Sequence, residues 1–154
     1  MIKYLKLSFL IVFFSGTLFA QQSSIYTHDL TEFNRAVELY KDKQYQSAQI
    51  LFDKVKSQTD NMEVESDCAY YIANCAIRLN QTGADVLVES FVEDYPTSTK
   101  TNQAYIEVAH YYFDQGNYPK SLEWFDKADS SNMSQADREK YNFQKGYAYF
   151  TAKN

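Results

Sequence analysis

Little in this chain of 154 residues speaks for catalysis, metal binding or nucleic acid. It has two cysteines, two histidines and four glycines, and contains no glycine-rich phosphate loop, no nucleophile elbow and no His-Glu-x-x-His. The histidines, His28 and His110, are far apart in sequence, and two imidazoles with two thiols are too few to suggest a metal site. Cys68 and Cys75 stand seven positions apart. On one helix that is a rise of about 10 Å, more than a disulfide tolerates, so both are expected to be small packing residues. No catalytic residue, metal ligand or cofactor is therefore expected, and His110 reads as a polar packing residue.

Positive charge is also short. Fifteen Lys and Arg face 20 Asp and Glu, a net charge of −5, and no basic cluster falls on any predicted helix face. Nucleic acid is not an expected partner, because its affinity rests on neutralising phosphate with Lys and Arg. Only one long hydrophobic run occurs, Leu7 to Leu18, shorter than the roughly 20 residues that span a bilayer. Lys3 and Lys6 precede it and Leu18-Phe19-Ala20 closes it, so residues 1–20 are read as an export signal peptide, with a membrane anchor as the rival reading. No cysteine follows the run, which argues against a lipid-attached N-terminus. Cleavage would leave 134 residues of net charge −7, expected to be soluble and without a membrane span. Residues 21–28 are polar and aperiodic, a flexible leader.

Aromatics, by contrast, are abundant: 14 Tyr and 11 Phe, with a 17% aromatic share. They imply thick packing between elements or an aromatic binding surface. Their spacing is regular. Gly116-Asn117-Tyr118, Ser121, Phe125 and Ala128 repeat, 73 residues later, the pattern of Lys43-Gln44-Tyr45, Ala48, Phe52 and Val55. Ala84, Val88 and Phe91 stand 36 residues after Ala48, Phe52 and Val55, and Gly146 stands 37 after Ala109. A period of this size is the mark of a helix-turn-helix repeat. Apolar residues at helical spacing predict seven helices over 29–42, 45–58, 65–80, 83–94, 100–115, 118–129 and 135–152. Gly116 is expected to take a left-handed turn conformation, Pro119 to sit in a first helical turn, and Ser134 to cap the last helix with Asp137.

The array resembles tetratricopeptide repeats. That family places a small residue in the middle of each first helix, here Ala36, Ala73, Ala109 and Gly146, and another in each second helix, here Ala48, Ala84 and Ser121, with a bulky one four positions on, here Phe52, Val88 and Phe125. The segment from Tyr95-Pro96 through Phe125 resembles exported bacterial repeat proteins of cell-envelope assembly. The resemblance implies an all-α solenoid over 29–154, with repeats at about 29–62, 65–98, 100–133 and a partial 135–154, the array continuing beyond Asn154. It also implies a concave groove lined by outward positions of the first helices: Phe33, Val37 and Tyr40, then Tyr70, Asn74 and Ile77, then Ile106, His110 and Phe113, then Phe143 and Tyr147, with Lys41, Arg78 and Asp114 alongside. Phe33 and Val37 stand where the family's clamp for a C-terminal carboxylate wants Lys and Asn, so that ligand is not expected. The function this implies is that of a non-enzymatic interaction module or scaffold, exported to the periplasm or cell envelope of a Gram-negative-type bacterium and binding a peptide or protein partner. Two alternatives stand beside it: the docking or sensory N-terminal region of a longer enzyme, and a self-associating scaffold.

Overall fold

The computed structural model describes residues 30–131 and 133–152, and every regular element among them is an α-helix. The expected export signal, the leader and the position of Asn154 lie outside the described residues. Helix α1 covers residues 30–41. It is followed by α2 (Tyr45–Gln58), α3 (Met62–Arg78), α4 (Ala84–Asp94), α5 (Thr101–Asp114), α6 (Tyr118–Lys127) and α7 (Gln135–Ala152). None of these helices is long and apolar enough to cross a membrane.

From α2 onward each helix packs on the next, and α3 also touches α5, which in turn touches α7. α1 joins through side chains: its Phe33 ring lies edge-on to Phe52 of α2 and Tyr71 of α3. Two apolar cores result. One collects Ala36, Ala48, Phe52, Val55, Cys68 and Cys75, the other Ala73, Val88, Phe91, Val108, Ala109 and Phe125, and Tyr71 packs against both.

The three links that reverse the chain after α1, α3 and α5 share one backbone device. In each, an N–H reaches back five residues to a carbonyl, Gln44 to Leu39, Gln81 to Ala76 and Asn117 to Tyr112, at 2.9, 3.0 and 2.9 Å. The residue before it, Lys43, Asn80 or Gly116, bonds three residues back and has φ of 60°, 51° or 73°. This is the paired bond pattern that satisfies the last carbonyls of a helix, and its left-handed residue favours glycine because a Cβ is crowded there. Only the third link has that glycine. A Cβ at Gly116 would meet nothing within 4 Å, so any penalty for adding one is backbone alone. Lys43→Gly is expected to stabilise the protein by roughly 1 kcal/mol and Gly116→Ala to destabilise it by a similar amount. Urea midpoints check both, and shifts of the same sign would contradict the account.

The buried positions also recur. Ala48, Phe52 and Val55 are buried on α2, Ala84, Val88 and Phe91 on α4, and Ser121, Trp124 and Phe125 on α6. The second link is the odd one. α2 and α6 begin three residues before their small buried residue, whereas α4 begins at Ala84 itself, because left-handed Gly83 (φ 78°) occupies its N-cap and shortens the helix. α3 starts at Met62 rather than 65, since the Asn61 side chain accepts from the N–H groups of Glu63 and Val64 at 2.9 and 3.2 Å and acidic residues fill the first turn. Ser134 caps α7 through Asp137 as expected: its hydroxyl accepts from the Asp137 N–H at 3.2 Å and donates to the Asp137 carboxylate at 2.7 Å. Gly146 is exposed, while Tyr141, Gln144 and Ala148 carry the buried face of α7.

Candidate functional site

Helix α5 buries Ala104, Val108 and Ala109. Four-residue spacing then aligns Asn102, Ile106, His110 and Asp114 in one stripe and Gln103, Glu107 and Tyr111 in the next, on the side that α6 leaves uncovered. Arg78 from the end of α3 and Tyr45 from the start of α2 stand on one side of these stripes. Asp129 and Met133 from the α6–α7 connection, with Asp137 and Lys140 from α7, stand on the other. Together they enclose an open cleft of about 1110 Å³.

One wall is fixed by a polar network spanning α1, α3 and α5. Arg78 donates from Nε to the Tyr40 hydroxyl at 3.1 Å, the Tyr40 hydroxyl faces Glu107 at 3.5 Å, and Arg78 Nη2 lies 3.8 Å from the same carboxylate. The guanidinium also sits 5.8 and 5.6 Å from the centres of the Tyr40 and Tyr45 rings, within cation–π range. Gln103 donates to the other Glu107 oxygen at 2.9 Å. Burial, followed by the Glu107 carboxylate, pushes the Tyr40 and Tyr70 phenols well above their usual value, so both stay neutral. Burial opposes the Arg78 charge, but the Tyr40 hydroxyl that accepts its hydrogen bond, then Tyr45 and the Glu107 carboxylate, outweigh it and raise the guanidinium further.

The other wall is tied down differently. The Asn102 side-chain amide clamps the backbone of Asp129, donating to its carbonyl and accepting from its N–H, both at 2.7 Å. His110 is bonded through Nδ1 to the buried Gln144 of α7, and its ring lies edge-on to Phe125 at 5.5 Å. Burial first, then the nearby Lys140 ammonium, hold the imidazole below its usual value, so it is neutral at pH 7 and its Nδ1–H can donate to the Gln144 carbonyl.

The cysteine thiols take no part in the cleft. Both are buried on α3, and burial pushes each up to about 12, which keeps them as thiols.

Of the residues expected to line an aromatic groove, Ile106 and His110 do line the cleft, with Arg78 and Asp114. Tyr70, Asn74 and Ile77 do not face solvent at all, each being only 2% exposed. The reason lies in α3, which packs against α2, α4 and α5 and buries most of its length between Val64 and Ile77. Phe33, Val37 and Tyr40 are half-buried against the first core. Phe113 and Tyr147 form a separate surface cluster with Tyr118, at ring separations of 5.5 to 5.7 Å, which Phe143 extends at 6.3 Å. The cleft is consequently more polar than expected. Its further lining residues, which the repeat pattern did not point to, include Tyr45, Asn102, Gln103, Glu107, Tyr111, Asp129, Met133, Asp137 and Lys140. Those on α5 were legible as the complement of its apolar face. No protein-family model, curated protein or solved structure matches this chain.

Proposed function

We propose that this protein is a tetratricopeptide-type solenoid acting as an exported, non-enzymatic interaction module, which holds a peptide or protein segment in the cleft over α5 within the periplasm or cell envelope. The observation that carries the reading is the cleft itself. Its lining comes mainly from α3, α5 and α7, the first helices of successive hairpins, and its open form, with about 1110 Å³ of space, leaves room for a length of polypeptide. The recurring links and buried register support the solenoid. Rigid walls support binding without large rearrangement, since a preformed surface loses less entropy on association.

A photo-reactive phenylalanine analogue at Ile106 tests the reading in the native cell, with the same substitution at exposed Glu123 on α6 as control. The expected result is a discrete protein adduct from position 106 and none from 123. Adducts from both positions alike, or from neither, would overturn it. A second reading, self-association, is favoured by the exposed cluster of Phe143 (68%) and Tyr147 (46%) with Phe113 and Tyr118. Light scattering that finds a monomer at every concentration excludes it.

A further inference from the structure

The cleft carries a charge pattern that narrows its occupant. Its lining has four carboxylates, Glu107, Asp114, Asp129 and Asp137, against two cations, Arg78 and Lys140, and His110 is neutral. Arg78 is already committed. It donates to Tyr40, faces two aromatic rings and lies beside Glu107, so those two charges largely cancel within the wall. The remaining three carboxylates then face the single ammonium of Lys140. Asp129 is held ionised by the Ser131 backbone and hydroxyl donors, which pull its carboxyl below the usual range.

At physiological salt the Debye length is about 8 Å, so charges lining one cleft act together on a chain lying inside it. Apolar contact is available between them from Ile106, Tyr111 and Met133. An anionic ligand would meet like charge, which disfavours it in a close interface. A small apolar ligand would gain nothing from the carboxylates.

Resting on the proposed peptide-binding function, we infer that the occupant is an extended polypeptide segment in which Lys or Arg alternates with apolar side chains. The cations meet Asp114, Asp129 and Asp137, and the apolar groups cover Ile106, Tyr111 and Met133. Specificity then comes from charge complementarity with Asp114 at the end of α5 and with Asp129 and Asp137 on the facing wall, with a strong dependence on salt.

Fluorescence anisotropy with two labelled probes tests this: a Lys-Ser-Val-Ser repeat peptide and its Glu-Ser-Val-Ser counterpart, titrated with the mature protein. The lysine peptide is expected to bind at least about tenfold tighter, and Asp114→Asn with Asp137→Asn to weaken it by roughly fivefold or more. Asp53→Asn with Glu93→Gln makes the same change in net charge at exposed positions outside the cleft and is expected to change affinity little. Circular dichroism verifies that each variant folds, and Asp114→Lys alone replaces the double variant if that does not. Equal loss from cleft and control pairs would reduce the effect to overall charge and overturn the inference. Failure of the lysine peptide to bind, or equal binding of the glutamate peptide, would overturn it too. If position 106 still forms its adduct in either case, the peptide-binding function survives with a different ligand chemistry. If that adduct is also absent, both fail.

Discussion

Ala109→Trp is expected to abolish cooperative folding of the α5–α6 hairpin. Ala109 is fully buried, and so is Ser121 on the facing helix, whose hydroxyl donates to the Ala109 carbonyl at 2.8 Å. That bond requires the two backbones to approach closely, which a small residue at each position permits. An indole at 109 must displace α6 or force Val108 and Phe125 out of their core positions. Overpacking of this kind costs about 1–3 kcal/mol where neighbours can adjust. Here backbone lies on the far side, so the cost belongs at or above the top of that range, against a total stability of about 5–15 kcal/mol. Thermal unfolding followed by far-ultraviolet circular dichroism should show a midpoint lower by at least about 5 °C or a broadened transition. A midpoint at the wild-type value would place Ala109 outside the helix crossing and remove the register on which the cleft is built, since Asn102, Ile106, His110 and Asp114 face the cleft only because Ala104, Val108 and Ala109 face the core.

The same register explains what could be read from the residues alone. Helical spacing located all seven helices, because each has an apolar face that recurs every three or four positions, and the links after α1, α3 and α5 are punctuated by left-handed residues. Ends that depended on side-chain capping were harder: the first turn of α3, Met62-Glu63-Val64-Glu65, alternates apolar with acidic residues and shows no helical spacing, and the bonds that the Asn61 side chain accepts fix the start of the helix at Met62. Site residues were harder still. Periodicity tells which side chains share a stripe but not how many stripes find a neighbour. α3 is covered by α2, α4 and α5, so its second stripe, Tyr70, Asn74 and Ile77, went inside, whereas the corresponding Ile106 and His110 of α5 stayed open. A sign of this was present in the residues. From Cys68 to Ile77, Asn74 is the one side chain that is neither apolar nor aromatic, and a helix apolar all round is a buried helix. Asn74 is accommodated by donating to the Tyr70 carbonyl one turn back at 3.1 Å. The residues contributed by the α6–α7 connection, Asp129 and Met133, had no periodic signal, because a loop's position follows from the helices it joins.

Phe52→Ala should separate the two cores. The Phe52 ring is fully buried, lies parallel to Tyr71 at 4.7 Å with 3° between the planes, and receives the edge of Phe33 at 5.7 Å. Removing a buried Phe side chain costs about 3–5 kcal/mol, part of it from the cavity left behind. In the quasi-one-dimensional array proposed above such a loss is local, because each hairpin is stabilised by its own packing and by its nearest neighbours. Both cores take residues from α3 and share Tyr71, so loosening Phe52 should free α1 and α2 while α5 to α7 keep Val108, Phe125 and Tyr141 in place. Hydrogen exchange read by mass spectrometry would then show lost amide protection across residues 30–58 and near wild-type protection across 101–152. Arg78 would meanwhile lose the Tyr40 and Tyr45 rings that hold it, so position 78 should become more mobile although it lies on α3. Protection lost equally in all helices would mean that the chain unfolds as one cooperative unit, and the hairpin would not be the unit of stability in this protein.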